Sequence, residues 1–417
     1  MGHSLLWAGP PADSERRMEG LKCNVCRGIA RFCKLSTCPF YRELLAGVRV
    51  SKIASDSVVS GPTPPSILVG ERGYPRVNVG PAVSLLEGPE AGHMDSPVGW
   101  LEIPLARLLA LRLSLFHGRR RRRVSEARRA AKFMEALQES AASAKPVDIE
   151  LYLGGPTVFR PGFGVRSAPY GPSAVTENVR IVGNVSVPRK VDDMIAEAGV
   201  RAEESLTTLY RSGFDEYYLT RIFSAGLLGR RAERRLVPTE WSITAVDDIL
   251  SRKLYREVKE MRQISGFRLH SYQALENAAH VVLTPTPWMY ELLEGWLKHS
   301  SLYSDYEFLK PRRTYAEKTG GAYYAVRLAV LRHLHGRGEQ CGAIVFFEVL
   351  PGWIPLGVWR FREIVKRALE SSCLKFHSLR EALDELRKRL QIPLERYLAA
   401  SRLVPLITQQ GRLDILR

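Results

Sequence analysis

The sequence offers no long apolar run. Its best candidate, residues 101–116, spans about 16 positions and carries Glu102, Arg107 and Arg112, too short and too charged to cross a bilayer. The first twenty residues lack an apolar core followed by a small-residue cleavage site, so no secretory leader is expected and a cytoplasmic location is. No Gly-Lys-Ser/Thr follows the glycine-rich segment, which removes a phosphate-binding loop of the P-loop kind. No internal repeat is evident, so a solenoid is not expected. Acidic residues are in deficit, 44 against 61 lysines and arginines, giving a formal charge of +17 on 417 residues. Cysteine is scarce at six residues, and in a cytoplasmic chain a disulfide framework is not expected.

What is present is an arginine-rich surface over an ordinary interior. At 417 residues the chain is long enough for two or three domains with their own cores, and its hydrophobic fraction of 45% and charged fraction of 25% are ordinary for a globular protein. Excess arginine favours polyanions and forked contacts to phosphate. Nucleic acid is therefore preferred over an anionic membrane, and no membrane partner is expected.

Four of the cysteines, Cys23, Cys26, Cys33 and Cys38, form a C-x2-C-x6-C-x4-C pattern. Thiolates at such spacing close the shell of a structural zinc ion, and an iron–sulfur cluster would use the same ligands. With four protein ligands no coordination position is open, so a structural role is expected. Lys22, Arg27, Arg31 and Lys34 surround the cluster and suit a phosphate backbone.

Residues 67–69 and 76–79 read as short strands, with Gly70-Glu71-Arg72-Gly73 as a tight turn presenting Glu71 and Arg72, and Arg76 just beyond. Residues 101–117 follow a helical pattern that runs into Arg119, Arg120, Arg121, Arg122 and Arg123, with a second helix over 125–138. Five adjacent arginines repel unless solvated or paired with anions, so they are candidates for nucleic-acid contact. Residues 147–153 read as a strand. A loop through Pro172 holds Arg160, Arg166 and Tyr170, loop and strand follow over 174–188, and helices are expected over 192–198, 203–212 and 215–228.

The stretch 234–248 concentrates chemistry: Arg235, Thr239, Trp241 and Ser242 lead to Asp247 and Asp248. Thr244 to Asp247 has capping-box form, which would put both aspartates in the first turn of a helix, where carboxylates offset the dipole. A structural cap and a ligand site are compatible readings, with the preceding loop facing the Glu71–Arg76 turn. Further on, 280–283 reads as a buried strand, 288–299 as an amphipathic helix and 303–313 as a polar boundary. A helix over 315–335 carries Tyr324 and Arg327, and an apolar strand over 342–350 ends near Glu348, followed by a turn over 351–359. Helices are expected over 360–369 and 378–390. At the end, Gln410, Leu413 and Leu416 have the spacing of a sliding-clamp-binding tail: one helical turn would seat both leucines in a pocket beside the glutamine.

Taken together, these segments resemble the NreA family of archaeal DNA repair proteins. The residues that carry the resemblance are the cysteine cluster, Leu68-Val69-Gly70-Glu71-Arg72-Gly73-Tyr74-Pro75 with Gly80-Pro81, and Leu236-Val237-Pro238-Thr239-Glu240-Trp241-Ser242-Ile243-Thr244-Ala245-Val246-Asp247-Asp248. Tyr323-Tyr324-Ala325-Val326-Arg327, Leu356-Gly357-Val358-Trp359 and the tail also fit. The match runs from about Leu21 onward. It departs at the tail, where Leu416 and Arg417 replace the usual aromatic pair, at Glu240, and in the order of Glu71-Arg72. The resemblance implies a role in DNA damage repair, a zinc-finger-like N-terminus and a tail that binds the sliding clamp, PCNA.

The expected fold is α+β, an irregular mixed α/β core with a small N-terminal four-cysteine zinc module and a helix-rich C-terminal part. Residues 1–17 are expected to be a disordered tail or to precede the true start, 18–45 the zinc module, 46–302 an N-terminal mixed domain, 303–405 a C-terminal domain and 406–417 the clamp-binding tail. The leading functional expectation is a DNA-binding repair factor recruited by the clamp. An alternative is an enzyme acting on DNA or a nucleotide, with Glu71, Asp247, Asp248 and Glu348 as candidate catalytic carboxylates around a second divalent metal and with arginine stabilising developing charge. A further alternative is an RNA-binding protein.

Overall fold

The computed structural model describes residues 57–86, 89–129, 131–158 and 170–414. The four clustered cysteines, Arg160, Arg166 and Leu416 lie outside the described residues, so the expected zinc module and the last clamp-tail leucine do too. The chain is mixed α/β and divides into two units. The first comprises residues up to Gly199 together with Arg221–Thr239, the second Val200–Thr220 and Glu240–Arg417.

Among the described residues, the first unit holds one six-stranded mixed sheet. Its strands are β1 (Val58–Thr63), β2 (Ile67–Val69), β3 (Arg76–Ser84), β4 (Leu115–Arg123), β5 (Val147–Leu153) and β6 (Ser173–Ile181), in the order β1-β5-β6-β4-β3-β2. Neighbours are antiparallel except β4 and β6, which are parallel. Helices α1 (Leu105–Leu113), α2 (Lys132–Ala142) and α3 (Arg189–Ala196) belong to the same unit. Strand β5 follows its alternation, burying Val147, Ile149 and Leu151, which is the period a half-buried strand imposes.

The arginine run corrects the sequence reading. Helix α1 ends at Leu113, where Ser114 turns its hydroxyl back onto the Ala110 carbonyl at 2.8 Å, and the chain re-enters the sheet as β4. All five arginines are strand residues. Five identical residues carry no alternation, so periodicity could not reveal a strand there. Backbone pairing with β3 on one side and β6 on the other determines the conformation instead.

In the second unit, α4 (Ala202–Arg211), most of α5 (Glu216–Ser224) and nearly all of α6 (Thr239–Val258) precede a second six-stranded mixed sheet. Its strands are β8 (Phe267–Ala274), β9 (Asn277–Thr284), β10 (Met289–Trp296), β11 (Ser301–Phe308), β13 (Gly342–Val349) and β14 (Leu374–Phe376), in the order β11-β10-β13-β9-β8-β14. A short ladder pairs β7 (Arg262–Gln263) with β12 (Glu339–Gln340). Two helices, α7 (Gly321–Arg337) and α8 (Trp359–Glu370), pack on one face. On the other, α9 (Leu379–Arg387), α10 (Leu394–Ala400) and α11 (Leu403–Asp414) close a core of Val282, Leu293, Ile344 and Phe346 against Leu386, Leu394, Tyr397 and Leu403.

Two segments here differ from expectation for physical reasons. The expected amphipathic helix over 288–299 is mostly β10, whose residues from Met289 to Gly295 are all buried. A strand covered on both faces reads as a continuous apolar run and mimics a helix. The polar stretch beginning at 303 is largely β11, which turns Asp305 and Glu307 inward and Tyr306 and Phe308 outward. That inverted pattern hides a strand from a hydrophobicity argument.

Candidate functional site

The β3–β4 ladder sorts the arginine run onto two faces, because directly opposed residues of an antiparallel pair point the same way. Arg120 and Arg122 oppose the buried Val79 and Val77. Their guanidinium groups lie over the Phe133 ring of α2, at 5.1 and 5.3 Å, and Arg122 also approaches Glu126 at 3.7 Å. Arg121 and Arg123 oppose the exposed Asn78 and Arg76, and Arg119 shares their side of the strand. Among the described residues, Arg119, Arg121, Arg123, Arg76 and Arg72 form no ion pair. The uncompensated charge thus stands in one row, backed by a face where arginine serves packing.

The turn between β2 and β3 is built to receive one member of that row. Gly73 has a φ of 81°, a conformation that favours glycine, and the Arg121 guanidinium lies against it. The turn closes through Arg76 N donating to Gly73 O at 2.9 Å and Gly70 N to Asn78 O at 2.9 Å. Glu71 and Arg72 are exposed on it.

The stretch 234–239 is a structural tie within the first unit. Leu236 N donates to Val124 O at 2.9 Å, Val237 N to Ser224 O at 3.1 Å, and Arg234 Nη2 to Ile195 O at 2.7 Å. The Thr239 hydroxyl accepts from Val69 N at 2.9 Å, which joins the stretch to the strand leading into the turn. Arg235 is exposed. Helix α6 starts at Thr239, five residues before the expected cap at Thr244. Trp241 and Ser242 are therefore helical, the first exposed and the second buried.

The same shift moves Asp247 and Asp248 out of the first turn, and neither acts as a cap. Asp247 is fully buried and accepts from Arg362 of α8 through both oxygens. Burial works against the charge of Arg362, but Asp247, Tyr217 and Glu216 outweigh it and hold the guanidinium protonated. Asp248 accepts from Arg252 at 2.7 Å and from Arg327. Arg327 is fully buried and also donates to Glu307 at 2.9 Å. Tyr324 is buried too, its hydroxyl accepting from Ala316 N at 3.1 Å.

Glu348 lies on the opposite face of the second sheet from Asp247's partner helix. There it accepts from Gln391 N at 2.9 Å and Ile392 N at 2.8 Å, holding the segment that leads into α10. Burial raises its pKa against those hydrogen bonds. Glu291 of β10 does the same for α11, accepting from Arg402 N at 2.8 Å, Leu403 N at 3.2 Å and Ser401 Oγ. The carboxylates of the second unit therefore disperse into separate arginine and amide contacts. Among the described residues no group of three or more His, Cys, Asp or Glu side chains could share a metal ion.

Sequence reasoning passed over Glu294 and Arg360. Both are buried, on β10 and α8 respectively, and neither stands in a recognisable motif. A charged residue inside an otherwise apolar pattern was the one available signal.

The fold is mixed α/β, with a row of arginines that lack ion pairs among the described residues on one sheet, and comparison places it more narrowly. The model of the archaeal Nre N-terminal region matches residues 32–304, and that of the Nre C-terminal region matches 307–415. The chain belongs to the archaeal Nre family. It is 37% identical over 385 residues to DNA repair protein NreA of Archaeoglobus fulgidus, covering 90% of this chain and 95% of that protein. It is 33% identical to DNA repair protein NreB of the same organism, over 92% of this chain and 97% of the relative. NreA of Haloferax volcanii is 32% identical over 82% and 85% of the two chains. No solved structure matches.

Proposed function

We propose that this protein is a DNA repair factor that binds the DNA backbone through the exposed arginines of β3 and β4. The observation that carries this reading is the row Arg76, Arg119, Arg121 and Arg123, which stands on one face without an acidic partner among the described residues. Such a row releases counterions from a phosphate chain and gives salt-dependent binding with little sequence preference. The names of its relatives as DNA repair proteins support DNA as the polyanion.

Two accessory features complete the reading. Cys23, Cys26, Cys33 and Cys38 would hold a structural zinc ion that organises the N-terminal module. Gln410, Leu413 and Leu416 would bind the sliding clamp; the first two lie on helix α11, and helical spacing would bring the three to one side. The test is a titration of duplex DNA, single-stranded DNA and RNA of one length at several salt concentrations, with and without the clamp. Affinity for DNA above RNA, with a salt slope that falls when the row is neutralised, is the expected result. Equal slopes for the neutralised and parent proteins would remove the arginine row from the function.

A further inference from the structure

One arginine of the second unit is buried with no hydrogen-bond acceptor on its guanidinium. Arg360, the second residue of α8, is fully buried, and its Nε, Nη1 and Nη2 atoms all lack a hydrogen-bond acceptor. Arg327 and Arg362 are also buried, but each meets carboxylates. A guanidinium carries five N–H donors, and leaving them unmet away from water is among the most costly arrangements in a folded chain. A buried orphan of this kind calls for a missing acceptor.

Its surroundings indicate what that acceptor is. The Arg360 Cζ atom lies 4.8 Å from the centre of the Trp353 ring and 4.7 Å from that of Phe361. Trp353 meets Trp296 edge to face at 4.7 Å, and Trp296 Nε1 donates to Glu294 Oε1 at 2.7 Å. Among the described residues no ion pair joins Glu294 to Arg360. Burial pushes the Glu294 carboxyl up to about 7 against the pull of Arg360, and lowers Arg360 to about 10 against the pull of Glu294. At neutral pH a protonated Glu294 can donate as well as accept.

The position in the fold favours an anion. Strands β10 and β13 are parallel neighbours and end side by side, Trp296 opposite Val349. The chain leaves β13 through the loop that carries Trp353 and enters α8 at Trp359. The start of α7 adjoins the start of α8: a Cβ on Gly321 would lie 3.4 Å from Cγ1 of Val358. The two helix starts therefore adjoin. That of α8 lies near the carboxyl ends of these strands, where Phe361 stacks on Phe347, and that of α7 over the amino end of β10, where Tyr323 O accepts from the Tyr290 hydroxyl. The amides and dipole of the α8 start favour negative charge, and open α/β sheets bind ligands at the carboxyl ends of their strands.

We propose that Arg360, with Glu294, Trp353 and the start of α8, forms a binding site for a phosphate monoester of nucleotide class. The phosphate oxygens satisfy the guanidinium in forked fashion, and a protonated Glu294 donates to a further oxygen. The partly exposed indole of Trp296 supplies a ring face on which a base stacks, while Trp353 is engaged by Arg360. The site lies wholly in the second unit and does not depend on the arginine row of the first.

The test uses the full chain, with tryptophan fluorescence and thermal melting as readouts. The probes are deoxyadenosine 5′-monophosphate, inorganic phosphate and the unphosphorylated nucleoside. Saturable quenching and a raised melting temperature are expected with the monophosphate and, more weakly, with phosphate, but not with the nucleoside. Arg360→Met, which removes an unpaired buried charge, should fold and bind about tenfold more weakly or worse. Arg360→Lys keeps the charge without the fork and covers the case in which the methionine variant fails to fold; it too should bind weakly. Affinity of the parent should fall as pH rises through 7, and Glu294→Gln should flatten that dependence. A 5′-phosphorylated trinucleotide, compared with its unphosphorylated form in an Arg119/Arg121/Arg123→Gln background, distinguishes a strand end from a free nucleotide. Tighter binding of the phosphorylated trinucleotide than of the mononucleotide assigns the site to strand ends, and the reverse order assigns it to free nucleotides. Parental affinity in both Arg360 variants, or no phosphate-dependent binding at all, overturns the proposal.

Discussion

Arg76 and Arg123 face each other as register partners across the β3–β4 ladder. Like charges directly opposed in a sheet destabilise it by roughly 0.2–1 kcal/mol, a cost that a bound anion removes. Arg123→Gln should therefore raise the melting temperature slightly at low salt while weakening DNA binding. Added salt should narrow the stability difference between the two proteins. A variant that loses both stability and DNA affinity would mean that Arg123 contributes to packing rather than to a polyanion face.

The two sides of β4 should separate in experiment. Neutralising Arg119, Arg121 and Arg123 together should lower the salt slope of DNA binding by about one per arginine that contacts phosphate. Neutralising Arg120 and Arg122 should leave the slope nearly unchanged. It should instead cost roughly 0.5–1 kcal/mol of stability for each guanidinium removed from the Phe133 ring. Binding titrations and chemical denaturation on the same two variants read both effects.

Glu348 should behave as an anchor. Glu348→Ala leaves the buried Ile392 amide and its neighbour without an acceptor, and about 1–3 kcal/mol of stability is expected to go with each buried donor stranded in this way. Glu348→Gln keeps one acceptor oxygen and should recover part of the loss. Denaturation midpoints for the three proteins decide it: an alanine variant as stable as the parent would show that the carboxylate is not holding this segment.

Acid should destabilise the fold well above the range in which most carboxylates titrate. Burial, with Arg112 assisting, presses His117 from 6.5 to about 4, and burial with Arg389 does the same to His280. Between these values the unfolded chain binds protons that the folded chain refuses. The stability these histidines confer is complete above pH 6.5 and is lost as pH falls towards 4. Glu294 works in the opposite sense, its contribution complete below 4.5 and lost as pH rises through about 7. His117→Leu should flatten the acid limb of a plot of unfolding free energy against pH, and Glu294→Gln the neutral limb.

The cysteine cluster gives a direct chemical prediction. One zinc ion per chain is expected by elemental analysis, and a Cys23→Ser, Cys26→Ser variant should lose it while the sheets of residues 57–414 keep their far-ultraviolet signature. Iron with absorbance in the visible region would assign the cluster to iron–sulfur chemistry instead.

Much of the secondary structure was legible because short strands and capped helices leave local marks. Strand β5 shows clean alternation, and the all-apolar run at β13 is what a strand buried on both faces produces. The failures share a cause: conformation set by neighbours rather than by the segment itself. The arginines of β4 are strand residues because β3 and β6 flank them, and β11 buries Asp305 and Glu307 because Arg312 and Arg327 wait inside. The same holds for the site residues. Exposed candidates such as Arg72 and Arg76 could be read from a turn and an alternation. Asp247, Asp248 and Glu348 looked like chemistry because nothing local discloses the guanidinium and amide groups, some over a hundred residues away, that engage them. Arg360 was invisible for the complementary reason: its significance is an absent acceptor, and a sequence cannot display an absence of that kind.

Glu291 fastens the beginning of α11 to the middle of the second sheet, while Leu403, Val404 and Ile407 bury its first turns. The start of that helix is thus fixed to the sheet, and the helix continues from there to Asp414. Twelve helical residues extend only about 18 Å. A protein that gripped the last turn would therefore stand within about that distance of the anchored helix start. Whatever that unit acts upon would have to lie within the same short reach of the partner.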